Sequence, residues 1–182
     1  MDEDIHRLQM IAERFSKIGS QPTLEEREVL PIVQSAIDYM RARTSNKIEY
    51  KLAIGDGQLA IGDRARAMLC APLFEWVIEN LCKNAIDAMD GKGSITIEVK
   101  TGNGKGKAEN LYIDITDTGK GIDRRNFKRI FQPGYTSKKR GWGLGLSLGK
   151  RIIEDYHRGE LFVKQSQLGV GTTFRIVLCS VV

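Results

Sequence analysis

The chain has 182 residues, which fits one domain of ordinary size with a short appendage. Hydrophobic residues make up 41% of it, as in globular proteins, and no run of 18 apolar residues predicts a membrane-spanning helix. The basic residues behind the net charge of +5 concentrate between Lys138 and Arg151, which favours a local anion site and argues against nucleic-acid binding.

The N-terminal segment predicts a helix that lies outside the main domain. Its apolar residues recur at helical spacing from Ile5 to Ile18, and Gly19–Pro22 then indicates a linker. Such an apolar stripe is expected to pack against another surface, either a partner helix or the chain's own domain. We therefore expect one unit over residues 1–22 and the main domain over residues 23–182.

The main domain is predicted to begin with a short strand at Arg27–Leu30 and a helix whose first turn holds Pro31. Two strands follow at Lys47–Ile54 and Gln58–Gly62, separated by glycines. A long amphipathic helix is expected from about Ala65 to Met89.

The second half predicts two strand pairs around an irregular stretch. The four strands are Ser94–Lys100, Asn110–Thr116, Glu160–Gln165 and Thr172–Leu178. Residues 117–142 show little periodicity, which is typical of a functional loop such as a lid, and a helix is expected over residues 143–156. The element order predicts an α+β fold, with helices on one face of a mixed, mostly antiparallel sheet.

The three cysteines, Cys70, Cys82 and Cys179, are odd in number and lack the spacing of metal ligands. The first two fall in an apolar helical pattern and the third ends a strand pattern. We expect buried, reduced thiols, which suit a cytoplasmic protein.

The long helix carries oxygen-bearing side chains on one face. Asn80, Asn84 and Asp87 fall within one narrow sector at 100° per residue. Magnesium prefers hard oxygen ligands and keeps several waters while it bridges phosphates, so few protein ligands suffice. A solvated helix face would show the same residues.

A second motif follows the strand that ends at Asp117, where Gly119 and Gly121 form a D-x-G-x-G turn. A carboxylate at this place can accept a hydrogen bond from an exocyclic amine, and glycine lets a planar ring lie against the backbone. A plain β-turn uses the same residue types.

A third motif runs from Lys138 through KKRGWGLGL into the next helix. Glycines allow close backbone approach, a helix N-terminus offers free N–H groups, and lysines add charge, so the segment predicts a phosphate cradle. Neither GxGxxG nor GxxxxGK[ST] is met, which excludes a dinucleotide fingerprint and a P-loop.

Together these motifs resemble the GHKL ATPases in order and spacing. The matching boxes are Asn80 with Asn84, Asp117-x-Gly119-x-Gly121, Phe131, Gly141-x-Gly143-x-Gly145 and Gly169-x-Gly171-Thr172. Within that superfamily the chain resembles the catalytic and ATP-binding domain of a sensor histidine kinase of the nitrogen-regulation branch. The resemblance implies a Bergerat-type two-layer sandwich. Residues 1–20 resemble the end of the second helix of a dimerisation and histidine-phosphotransfer hairpin.

The resemblance also implies roles for individual residues. Asn84 would coordinate Mg²⁺, Asn80 would assist near the phosphates, and Lys138 would hold phosphate, with Lys83 a weaker candidate. The residues implied to bind ATP are Asn84, Asp117, Gly119, Gly121, Gly141, Gly143, Leu144, Gly145, Leu146 and Thr172. Asp117 would hold the adenine amine, and residues 119–142 would form the ATP lid.

The implied activity is transfer of the γ-phosphoryl group of ATP to a histidine outside this chain. His6 lacks the following acid and proline of a phosphoacceptor, and His157 ends a helix, where an imidazolium would favour the helix dipole. The implied partners are a histidine-phosphotransfer hairpin of the same protein or of a dimer partner, and a response regulator receiver domain. The longer protein would be a homodimer in the cytoplasm, free or anchored to the inner membrane.

Other members of the superfamily stay open as alternatives. An ATP-gated clamp would carry a general-base Glu where this chain has Asn80, and an anti-sigma-type serine kinase would not need the helix at 1–18. A GHKL pseudokinase that binds nucleotide without transferring phosphate would keep every binding box.

Overall fold

The computed structural model describes residues 22–55, 65–103, 109–136 and 143–181. The helix predicted at 1–18 and the strand predicted at 58–62 lie outside these ranges. Of the predicted site residues, Lys138 and Gly141 also lie outside them. None of the helices within the described ranges combines the length and apolarity that a membrane-spanning segment needs.

Along the chain, pairs of consecutive strands are separated by helices, the order expected of an α+β fold. The helices are α1 (Val29–Arg43), α2 (Ala71–Ala88) and α3 (Gly145–Arg151), and α3 continues as a π-helical turn over Ile152–Tyr156. The strands are β1 (Glu25–Glu28), β2 (Ile48–Ile54), β3 (Arg66–Leu69), β4 (Gly93–Asn103), β5 (Glu109–Asp117), β6 (Glu160–Gln167) and β7 (Gly171–Cys179). Between β5 and α3, the described residues contain two short 3₁₀ turns, Arg124–Asn126 and Arg129–Phe131.

Five strands form the main sheet in the order β2-β4-β5-β7-β6. β2 runs parallel to β4 and the other neighbours are antiparallel, so the predicted mixed, mostly antiparallel sheet is confirmed. Alternate residues such as Ile97 and Ile113 are fully buried and share one core with Ile37 of α1 and Leu81 of α2. The register places Asp117 at the end of β5 opposite Thr172 at the start of β7.

The long helix was predicted to begin near Ala65, and this boundary is wrong. Residues 66–69 form β3, which pairs antiparallel with β1. Ala67 and Leu69 are buried while Met68 is exposed, the two-residue period of a strand. The helix begins at Ala71, with Pro72 in its first turn, where a missing N–H costs no helical hydrogen bond.

The first strand of the main domain is also shifted from its predicted place at Arg27–Leu30. β1 ends at Glu28 and α1 begins at Val29, so that Pro31 lies in the first helical turn. Val29 is fully buried because α1 turns its apolar stripe toward the core.

The expectation of three buried thiols holds for Cys82 alone. Burial raises the pKa of Cys82 to about 12, which makes it an inert core residue. Cys70 is half-buried before α2, and Cys179, the last residue of β7, is exposed. The alternation of β7 places its final residue on the solvent side.

His157 is buried after the π-helical turn and caps it as a neutral ring rather than as an imidazolium. Its Nδ1–H donates to the carbonyl of Ile152 at 2.8 Å, and its Nε2 accepts the backbone N–H of Cys70 at 3.1 Å. Burial lowers its pKa, so the ring is neutral. The imidazole still caps the turn, and it ties that turn to the start of α2.

Candidate functional site

Asp117 is the most buried of the predicted ligand-binding carboxylates, with 4% of its surface exposed. Its Oδ1 accepts the backbone N–H of Gly119 at 2.8 Å and that of Thr172 at 3.3 Å. Within the described ranges, both hydrogen bonds to this carboxylate end on Oδ1. Oδ2 is therefore the oxygen with which Asp117 can accept a hydrogen bond from a ligand.

Burial raises the pKa of Asp117, and the two backbone N–H donors offset only part of this effect. A buried carboxylate that lacks a full set of donors is costly in free energy. A ligand amine that donates to this carboxylate would lower that cost. The site is therefore built to favour a hydrogen-bond donor over an acceptor.

The glycines after Asp117 let this turn lie directly on its neighbours. A Cβ on Gly119 would come within 2.7 Å of the carbonyl of Ala88, and the N–H of Lys120 donates to that carbonyl at 2.9 Å. Gly121 has φ +75° and would place a Cβ 2.2 Å from the carbonyl oxygen of Gln167. The turn is thus confined between the end of α2 and the β6–β7 hairpin.

Ser166 of β6 organises the other side of this turn. Its Oγ accepts the N–H of Ile122 at 2.8 Å and donates to the carbonyl of Gly171 at 3.0 Å. The hydroxyl of Thr172, 2.8 Å away, then donates to Ser166 Oγ. Ser166 could not be predicted from the sequence, because a serine in a strand has no spacing signal and its partners come from two separate segments.

Asn80 of α2 lies against the first residue of α3. A Cβ on Gly145 would stand 2.5 Å from Asn80 Oδ1, so only glycine leaves room for this amide. The buried Asn80 Nδ2 donates no hydrogen bond to any residue that the structure describes. The packing brings the Asn-bearing helix to the N-terminus of α3, as the motifs predicted.

The approach to α3 is shaped by a backbone contact between two glycines. Gly143 has φ +63°, and its carbonyl accepts the N–H of Gly134 at 3.0 Å. Leu144 is 50% exposed, whereas Leu146 packs against the core.

The predicted site residues that the structure describes lie on neighbouring elements. Asn84 is half-buried on α2, one turn after Asn80 and one turn before the Ala88 carbonyl that holds the Asp–Gly turn. Asp87, from the same predicted sector, is exposed. Lys83 is half-buried on that helix, and its predicted phosphate contact stays a prediction.

The donor set fits magnesium held together with phosphate. In the part of the chain that the structure describes, no three His, Cys, Asp or Glu side chains cluster as a metal site. Magnesium needs only one or two protein oxygens when phosphates and waters complete its octahedron. The amide oxygen of Asn84 is a ligand of this kind.

Comparison with known proteins gives the family. The pattern of the histidine kinase-, DNA gyrase B- and HSP90-like ATPase family matches residues 71–181, from α2 through β7. Sporulation kinase E of Bacillus subtilis (strain 168) is 32% identical over 178 residues, 96% of this chain and 22% of that protein. Sensor histidine kinase ZraS of Salmonella typhi is 40% identical over 102 residues, 56% of this chain and 21% of that protein.

Solved structures agree on the fold. The catalytic domain of histidine kinase ThkA, in a nucleotide-free form, superposes with a TM-score of 0.71 at 22% identity and covers 86% of this chain and 95% of that one. The mycobacterial sensor histidine kinase MprB gives a TM-score of 0.70 at 19% identity, with 86% and 97% coverage. The chain spans about a fifth of the length of the two curated relatives above. It belongs to the histidine kinase-, DNA gyrase B- and HSP90-like ATPase family, as a catalytic ATP-binding domain of the sensor histidine kinase type.

Proposed function

We propose that this chain binds ATP with magnesium and that, within a longer protein, it transfers the γ-phosphoryl group to a histidine on another segment. The observation that carries this proposal is the buried Asp117 carboxylate, whose Oδ1 is taken by two backbone amides while Oδ2 is left for a ligand donor. The 6-amino group of adenine is such a donor.

The other residues implied to bind ATP have the following proposed roles. Gly121 and Thr172 border Asp117 and would contact the base, and the backbone N–H groups from Gly143 to Leu146 would bind phosphate. Asn80 and Asn84 of α2 would lie on the phosphate side, with Asn84 as the magnesium ligand. Lys138 is proposed as a further phosphate-binding cation. Magnesium, when bound, neutralises phosphate charge and makes the γ-phosphorus more electrophilic.

Transfer to an external acceptor is favoured over hydrolysis by the residues on α2. The amide of Asn80 cannot take a proton from water, whereas hydrolysing relatives carry a general-base Glu at that position. The adjacent Glu79 is only 2% exposed and lies within the core side of the helix. A histidine nitrogen is itself a nucleophile, so its attack on the γ-phosphorus expels ADP without a base on this helix.

The proposed partners follow from the same chemistry. The acceptor would be a histidine-phosphotransfer hairpin of the same protein or of its dimer partner, to which residues 1–22 would lead. A receiver domain would take the phosphoryl group next; ThkA, a fold neighbour at 20% identity, was solved in complex with response regulator protein TrrA. We propose a cytoplasmic location for this domain, where ATP is available, in a homodimeric parent that is free or anchored to the inner membrane.

The proposal is tested by incubating the chain with γ-labelled ATP, magnesium and a separately produced histidine-bearing hairpin from its parent protein. We expect acid-labile, alkali-stable label on the hairpin and none on the chain alone. If the chain binds ATP but neither the hairpin nor the full parent is labelled, the domain is a nucleotide-binding pseudokinase.

A further inference from the structure

Lys150 of α3 belongs to the basic stretch that the sequence assigned to phosphate, yet the structure gives it other partners. Its Nζ donates to Glu154 Oε1 at 2.5 Å and to the backbone carbonyl of Leu161 at 2.9 Å. The same ammonium lies 5.0 Å from the ring centroid of Phe131. Lys150 thereby joins α3, the edge strand β6 and the connection between β5 and α3.

The three contacts account for the three N–H donors of the ammonium. Two donors meet oxygen atoms, and the third side faces the π surface of Phe131 within the roughly 6 Å range of a cation–π interaction. The Lys150 side chain is 34% exposed, so this interaction is partly shielded from water. An ordinary surface lysine with one i,i+4 partner has no such set of contacts.

Phe131 is held from its other side by the strand that borders the nucleotide site. Its ring meets Phe174 edge-to-face, with centroids 6.2 Å apart. Phe174 lies on β7 two residues after Thr172, and it pairs with Ile115, two residues before Asp117. The aromatic pair therefore connects the β5–α3 connection to the strand ends that carry the proposed adenine contacts.

The connection is fixed to α3 a second time, close to Phe131. The N–H of Gly134 donates to the carbonyl of Gly143, directly before the helix N-terminus. We propose that Lys150 is a positioning residue: by holding Phe131 against β7, it fixes residues 127–135 and, through Gly134, the start of α3 that faces phosphate. The part of this inference that concerns nucleotide affinity rests on the proposed function.

Hydrogen exchange measures the positioning directly. The informative amides are those of Gln132 and Tyr135, which donate to the carbonyls of Arg129 and Gln132 at 3.0 and 3.1 Å. Lys150→Met keeps the apolar stem and removes the charge, and we expect these two amides to exchange about tenfold faster. The affinity for ATP should fall several-fold, because the start of α3 is less well ordered.

A matched control lies next to Lys150. Arg151 also has an i,i+4 acidic partner, Asp155, at 3.4 Å, but both side chains are more than 60% exposed. Arg151→Met should leave the exchange rates of the two amides within twofold of wild type. Lys150→Arg retains a cation over the ring and should restore most of the protection.

A double-mutant cycle with Phe131→Leu separates positioning from a general loss of stability. Once Phe131 is replaced, Lys150→Met should accelerate exchange at Gln132 and Tyr135 no further. Equal acceleration in both backgrounds, or unchanged exchange in Lys150→Met, would overturn the proposal. If Lys150→Met does not fold, Phe131→Leu alone must still accelerate exchange at these two amides. Unchanged exchange in Phe131→Leu would also overturn the proposal. Absence of ATP binding by the wild type would refute the proposed function, while the exchange data would still decide the role of Lys150.

Discussion

At the scale of single residues, Asn84 is the side chain of α2 that we propose coordinates magnesium. Asn84→Ala removes the amide oxygen and suits a helix, so the fold should persist. We expect magnesium to enhance ATP binding in the wild type and to have no such effect in the variant. Titrations with and without magnesium measure this difference, and far-UV circular dichroism checks the fold. Unchanged magnesium dependence in Asn84→Ala would remove this residue from the metal site.

His157 makes stability depend on pH. Its pKa is lowered below 6.5 by burial, so the unfolded chain binds the proton more tightly than the folded protein does. Stability is therefore expected to be full above pH 6.5 and to fall as the pH drops from 6.5 toward the lower, folded-state pKa. Protonation of Nε2 also removes the acceptor of the Cys70 N–H.

Denaturant unfolding across this range tests the role of His157. His157→Gln should cost about 1–3 kcal/mol near neutral pH, because buried hydrogen bonds are lost. The variant should lack the part of the pH dependence that begins near 6.5. If wild type and variant lose stability in parallel between pH 7 and 5, another group is responsible.

At the scale of elements, the Asp–Gly turn and the β6–β7 hairpin depend on glycine for two different reasons. Gly121 and Gly169 have nearly the same positive φ, +75° and +76°. A Cβ on Gly121 would meet the Gln167 carbonyl oxygen at 2.2 Å, whereas nothing lies within 4 Å of one on Gly169. A substitution at Gly169 therefore tests backbone strain alone, whereas one at Gly121 tests backbone strain together with a steric clash.

Alanine substitutions measure both contributions. Gly169→Ala should destabilise the domain by about 1–2 kcal/mol, the cost of a left-handed backbone conformation for a residue with a Cβ. Gly121→Ala should cost clearly more, because backbone atoms of the hairpin must also move. Equal free energies of unfolding for the two variants, measured in denaturant, would contradict the packing of the turn against Gln167.

The elements themselves show what local sequence signals can predict. Alternating apolar residues and the Asp–Gly turn were enough to predict β4, β5 and the β6–β7 hairpin. They were also enough to place Asp117 at the end of a strand. The continuous apolar run from Ala67 to Ala71 suits either a helix or a strand, and only pairing with the distant β1 decides between them. Ser166 and Lys150 were missed as organising residues because each has one partner on a separate segment, Ile122 for Ser166 and Phe131 for Lys150, which only packing brings close.

At the scale of the whole molecule, the sheet register and the end of α2 bring the Asp–Gly turn, Thr172 and the Asn-bearing helix to one site. Asp117 is buried, and only one of its two carboxylate oxygens already accepts hydrogen bonds. We therefore expect the site to favour a ligand group that donates a hydrogen bond over one that accepts it. Adenine presents an amino group where guanine presents a carbonyl, so we expect this single carboxylate to produce a preference for ATP. Two acceptors facing each other cost roughly 1–3 kcal/mol, which is about a five- to 150-fold loss of affinity.

Calorimetric titration of the domain with ATP and GTP, in the presence of magnesium, tests this account most directly. We expect ATP to bind at least about fivefold more tightly than GTP. In Asp117→Asn, the two backbone amides keep the side-chain oxygen in place, so that Nδ2 faces the base as a donor. That variant should lose ATP affinity and narrow or reverse the preference over GTP. Equal affinity of the wild type for both nucleotides, or unchanged discrimination in Asp117→Asn, would contradict the assignment of the adenine site.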